Sequence, residues 1–116
     1  MRHQLQQLLQ RQSQLNLNKL VIQAEVVQIE PLRYTPAGIP LLSVVLRHAS
    51  EQTEAGMKRK VECEINAVVL GDLALKGFKA GTQIIAQGFL ARRSLKSTQL
   101  VMHINNVEYV SVACIN

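Results

Sequence analysis

Apolar and polar positions alternate with period two through most of this chain, which predicts strands rather than helices. Between Thr82 and Ala91, Ile84, Ala86, Gly88 and Leu90 share one face, and Ile85, Gln87, Phe89 and Ala91 share the other. Between Thr98 and Ile104, Leu100, Met102 and Ile104 oppose Gln99, Val101, His103 and Asn105. A helix would scatter these sets around its circumference. The basic connector Arg92–Ser97 joins the two arms into a projecting hairpin. Gly88 in mid-strand implies a sharp coil of the sheet or a close backbone approach.

Three more strands precede this hairpin. In the first, Asn18–Ile29, Leu20, Ile22, Ala24 and Val26 face one way and Val21, Gln23, Glu25 and Val27 the other. Pro31–Gly38 is a turn, since two prolines and a glycine oppose regular structure there. Ile39–Arg47 is the second strand, with Leu42, Val44 and Leu46 inward. His48–Lys60 reads as a long, mobile polar loop, acidic first and basic last. Val61–Ala67 is the third strand, with Val61, Cys63 and Ile65 inward. At Val68–Lys76 the period changes to suit a short helix, which Gly77 stops. Three strands, a helix and two strands predict an all-β domain: a small closed five-stranded barrel of the OB-fold type, with the helix between strands three and four.

The barrel spans residues 18–110, followed by a short tail, 111–116. Residues 1–17 form a Gln-rich N-terminal extension. It is either a frayed segment or a short amphipathic helix, because Leu5, Leu8 and Leu9 fall on one helical face. The 116 residues suffice for one core and not for two. Only 3 % are aromatic, with no Trp, so Val, Ile and Leu must fill that core. Cys63 and Cys114 are too few for a disulfide framework. Cys63, alternating with Val61 and Ile65, is expected as a buried thiol in a reducing compartment. No run is apolar enough to span a bilayer as a helix, and no secretory segment opens the chain, so cytoplasm is expected. No Walker loop, GxSxG, HExxH or metal-ligand spacing occurs, so neither an enzyme nor a cofactor is implied. The net charge of +5 makes an anionic partner plausible without naming it.

Several runs together resemble one known family. They are Asn18-Lys-Leu-Val-Ile-Gln-Ala24, Pro31-Leu-Arg33, Pro36-Ala-Gly-Ile-Pro40, Glu54-Ala-Gly56, Gln87-Gly-Phe-Leu90 and Leu100-Val-Met-His-Ile104. In order and spacing they resemble primosomal replication protein N (PriB), a paralogue family of bacterial single-stranded DNA-binding protein. The resemblance covers about residues 18–110. It implies an OB barrel used as a homodimer, binding of single-stranded DNA, no catalysis, and a role in replication restart. There the family bridges the restart helicase PriA and later loading factors of the primosome. Two departures stand out. Met57 and Glu62 occupy positions where strongly DNA-binding members carry aromatics, and the N-terminal extension has no counterpart. An adaptor module with weak or lost DNA binding is therefore the alternative.

Candidate DNA contacts follow from charge and placement. Arg92, Arg93 and Lys96 in the connector suit phosphate capture. Lys58, Arg59 and Lys60 form the densest charge run and open the third strand. Arg33 and Tyr34 project from the first loop, where Tyr34 could stack a base or cover the barrel's end. Phe89 faces outward and is read as a stacking platform. His103, also outward, is read as structural. Val21, Gln23 and Val27, outward on the first strand, suit a dimer seam.

Overall fold

The computed structural model describes residues 16–110. The tail and all of the extension except Asn16 and Leu17 lie outside the described residues, as does Cys114. Six strands form one sheet: β1 (Leu20–Ile29), β2 (Arg33–Tyr34), β3 (Pro40–Glu54), β4 (Met57–Leu70), β5 (Gln83–Arg92) and β6 (Leu100–Tyr109). Their order is β1-β5-β6-β4-β3-β2, and β1 also pairs with β3. That extra pairing closes a five-stranded barrel, with β2 appended to the edge of β3.

Closure depends on β1 changing partners partway along. Its first half pairs with β5, from Leu20↔Gly88 to Glu25↔Gln83, and its second half pairs with β3, from Glu25↔Arg47 to Ile29↔Val44. The register slips between Val26 and Gln28, leaving Val27 as the extra residue of a bulge. A bulge bends and twists its strand, which lets one strand serve both seams. β6 has the same device. Gln87 opposes Asn106 while Gly88 opposes Ile104, so Asn105 is the extra residue. Just before it β6 reaches β4 in a short parallel contact, Ala67↔Met102 to Val69↔Ile104.

The inward residues of the alternation meet in the interior. Val26, Leu46, Val69, Ile84 and Met102 are fully buried, with Ala24, Val44, Ala67, Ala86 and Ile104 around them. Each large side chain withdrawn from water contributes roughly 1.5–3 kcal/mol of transfer free energy. Phe78, which the alternation did not mark, is also buried and joins Leu73 and Ala74 in this cluster.

Six expectations need correction. His48–Lys60 is not a loop. β3 and β4 run on as a two-stranded ribbon to a two-residue turn, Ala55-Gly56, between the paired Glu54 and Met57. Both turn residues have positive φ, at 53° and 77°, which a type I′ hairpin turn requires. The ribbon projects past the barrel with water on both faces, so it carries no apolar alternation. Cys63 lies on this ribbon opposite His48 and is exposed, because the interior ends near Ile65. Leu90 and Leu100 likewise alternate toward the core but emerge beyond the barrel's rim. Val101, expected outward, is buried.

The remaining two corrections concern local boundaries. Val68–Leu70 stay in β4, because all three pair with β3, Val68 and Val69 pair with β6 as well, and Val69 fills the core. The helical element is a single 3-10 turn, Gly71–Leu75. Arg33 and Tyr34 lie on the short strand β2, paired with Leu41 and Pro40, rather than in an irregular turn.

Candidate functional site

Cross-strand register lines up one residue from each of four strands on the outer face. Phe89 on β5 opposes His103 on β6, His103 lies beside Val68 on β4, and Val68 opposes Ser43 on β3. Arg33 of β2 ends the line, where its Nη2 donates to Ser43 Oγ at 3.4 Å. At the far end the Phe89 and His103 rings stack, with centroids 5.0 Å apart and planes 7° from parallel. Phe89 is 38 % exposed, so its open face is available to a planar ligand.

A groove of about 480 Å³ follows this line. Arg33 stands on one rim, and Arg92 and Arg93 stand on the other with His103. Asn66, Ser43, Val45 and Val68 lie in the floor, and Glu30 contributes a carboxylate to the wall. The β5–β6 connector is held by its own bonds. Arg92 Nη1 donates to the Leu95 carbonyl at 3.2 Å, and the Arg93 amide donates to the Gln99 carbonyl at 2.9 Å. Three guanidiniums on facing rims, a half-polar floor and one aromatic stack can hold a flexible polyanion that also carries planar groups.

The structure thus brings together Arg33, Arg92, Arg93 and, through its stack on His103, Phe89. Other candidates lie outside the groove wall. Tyr34 alternates away from Arg33 and is largely exposed. Lys96 is exposed in the connector. On the ribbon, Arg59 donates to Glu54 Oε1 at 2.7 Å, on the face opposite Lys58 and Lys60. Lys58 and Lys60 share the outward face with Asn66 in the groove floor, but Glu62 and Glu64 stand between them on β4. Glu64 is bridged by Arg47 at 2.9 Å.

Val21 and Gln23 lie on the outward side of β1, opposite Gln87 and Ile85. Val27 is the half-buried bulge residue. The Gln23 carbonyl is engaged by His48 Nδ1 at 2.7 Å, and His48 Nε2 lies 2.7 Å from Ser50 Oγ. His103 lies outward, as the alternation predicts, but its stack on Phe89 was not foreseen. Its partnership with Phe89 follows from the register that the connector sets, Arg92↔Leu100 onward, and the Asn105 bulge shifts only the pairs from Gln87 on.

The closed five-stranded barrel and the groove across its outer face define an OB-fold protein. Residues 18–106 match a family model described as another single-strand binding protein family. The replication restart protein PriB of Bordetella pertussis (strain Tohama I) is 40 % identical over 97 residues, spanning 82 % of this chain and 91 % of that one. The solved structure of priB from Ralstonia solanacearum superposes with a TM-score of 0.72 at 38 % identity, covering 80 % of this chain and 97 % of that one. A Plasmodium falciparum single-strand binding protein, solved in complex with single-stranded DNA, shares the fold at a TM-score of 0.66 and 15 % identity over 83 % of this chain and 96 % of that one. The chain belongs to the replication restart protein PriB family, within the single-strand binding proteins.

Proposed function

We propose that this chain binds single-stranded DNA in the groove between Arg33 and Arg92/Arg93, and that it serves replication restart in the cytoplasm. One observation carries the reading: Arg33 on β2 and Arg92 and Arg93 at the β5–β6 end line one groove across a sheet surface that also presents the Phe89–His103 stack. Phosphates lie against the rims, and a base stacks on the open face of Phe89. Recognition of this kind tolerates any sequence, since every base has a π-face. Tyr34, Lys58, Lys60 and Lys96 act at longer range as added positive potential. The resemblance extends the reading to a homodimer, with Val21, Gln23 and Val27 near its seam, that bridges the PriA helicase and later primosome factors.

Fluorescence anisotropy of labelled oligo-dT at several salt concentrations tests the DNA reading. Affinity is expected to fall with salt, with a log–log slope near −0.7 per phosphate neutralised on single strands. A flat salt dependence would exclude the phosphate mechanism. The second reading, an adaptor with little DNA binding, is favoured by Glu62 and Glu64 on the groove-facing side of β4. It predicts retained capture by the helicase in a pull-down together with no measurable oligo-dT affinity.

A further inference from the structure

The β5–β6 hairpin has two faces where it leaves the barrel. Phe89 and His103 stack on one of them. On the other, Leu90 opposes Met102 and Leu100 stands two residues before Met102, so both leucines continue the face that enters the core. They emerge 37 % and 58 % exposed. Diagonal neighbours of an antiparallel pair stand about 7–8 Å apart, so the two make one apolar patch. Arg92, opposite Leu100, turns instead to the connector, where its Nη1 donates to the Leu95 carbonyl.

The start of the barrel is fastened to this patch. Asn18 Nδ2 donates to the Leu90 carbonyl at 2.8 Å, and the Leu90 amide donates to Asn18 Oδ1 at 3.0 Å. A side chain thus stands in for a ladder pair at the point where β1 stops following β5. Two residues earlier Asn16 has a φ of 49°, a left-handed conformation that turns an extended chain aside. Residues 1–15 therefore set out from beside Leu90. Their sequence contains no Gly, Pro, Asp or Glu. On a helical wheel all five of its apolar residues, Met1, Leu5, Leu8, Leu9 and Leu15, fall within about 120°, with Gln12 the one polar residue among them. Leu8 and Leu9 stand roughly 10–12 Å of helix from Asn16, so their reach suffices. From these facts we propose that residues 1–15 fold back as an amphipathic helix over Leu90 and Leu100 of the same chain, bracing the hairpin whose connector carries Arg92 and Arg93. A segment tethered two residues from its own docking face meets it at an effective concentration in the millimolar range, which favours it over a free partner.

Two measurements test this. In the full chain with methyl-labelled leucines, nuclear Overhauser contacts are expected from Leu8 and Leu9 to Leu90 and Leu100, and mixing differently labelled copies shows whether they arise within one chain. The second measurement is a thermal double-mutant cycle. The barrel closes within residues 20–109, so a chain starting at residue 16 retains its whole core. In the full chain Leu100→Gln should lower the melting temperature by about 4–8 °C, and so should Leu8→Gln/Leu9→Gln. In the chain starting at residue 16, Leu100→Gln alters an uncovered surface and should cost less than half as much. Equal losses from Leu100→Gln in the two chains, or absence of the methyl contacts, overturn the docking. Contacts found only between differently labelled copies assign the patch to a second copy and overturn it as well.

Discussion

Gly88 lies so close beneath the backbone of His103 that a Cβ there would overlap the His103 carbonyl oxygen and stand 2.8 Å from its carbon. The contact is backbone on backbone, so no side-chain rotation relieves it. It sits where β6 bulges and one position before Phe89, so it fixes how the aromatic stack is presented. Gly88→Ala must push the two strands apart. A loss of at least about 2 kcal/mol is expected, toward the upper part of the usual cost of overpacking. Urea unfolding should show a lower midpoint with an unchanged slope. Wild-type stability in this variant would mean that the strands separate freely at the bulge.

The ribbon turn offers the opposite test, because here the sequence departs from what the backbone asks. Ala55 holds a φ of 53° at the first turn position, where type I′ hairpins prefer Asn, Asp or Gly. Ala55→Asn should therefore stabilise the turn by about 0.5–1 kcal/mol, a part of the roughly 1–3 kcal/mol that a non-glycine left-handed residue costs. The melting temperature should rise by roughly 4 °C, given the size of the domain. Because the ribbon projects beyond the core, the gain also appears locally, as slower amide exchange near Glu54 and Met57. A lower melting temperature would contradict the turn geometry.

Charge and wall position make different predictions for the arginines. Arg33→Ala removes a rim cation and should weaken oligo-dT binding while making the salt slope shallower by about 0.7. Arg59→Ala removes a charge paired with Glu54 on the opposite face of the ribbon, and should change affinity less than twofold. Its ion pair is largely exposed, so stability should shift by no more than about 1 kcal/mol. Equal effects of the two substitutions would indicate that net charge, rather than the groove, governs binding.

The parts of this fold that the sequence disclosed are those where one face is dry. Leu42, Val44 and Leu46, or Ile84 and Ala86, alternate because every second side chain enters the core. The same logic fails on the ribbon from His48 to Lys60, where both faces are wet and only the backbone ladder makes a strand. It fails again where the chain leaves the barrel, at Leu90, Leu100 and Cys63. The candidate site was legible as charge at Arg33, Arg92 and Arg93, since loops joining alternating segments cluster at the barrel's rim. The stacking of His103 on Phe89 was not, since alternation gives a side chain's face and not its cross-strand partner. An unpaired residue such as Asn105 cannot be located from composition, and without it the pairs from Gln87↔Asn106 on are assigned one residue away.

Glu62 decides how far the groove extends along the ribbon. It stands on the outward face of β4 between Lys60 and Glu64, in line with Asn66 in the groove floor. A strand leaving the groove toward the ribbon therefore meets carboxylates before it meets Lys60 and Lys58. Glu62→Gln removes one charge and nothing else, and should tighten oligo-dT binding modestly. Glu62→Trp removes the charge and adds a stacking surface worth about 1–3 kcal/mol per base. Relative to Glu62→Gln, its affinity should rise roughly fivefold to a hundredfold, by the free-energy equivalence of a tenfold change to 1.4 kcal/mol. The gain should appear only for oligonucleotides long enough to reach beyond the groove. Short ones confined between Arg33 and Arg92 should bind both variants alike. If the Trp gain were the same at every length, the ribbon would already lie against the strand in the groove, and the route along β4 would be wrong.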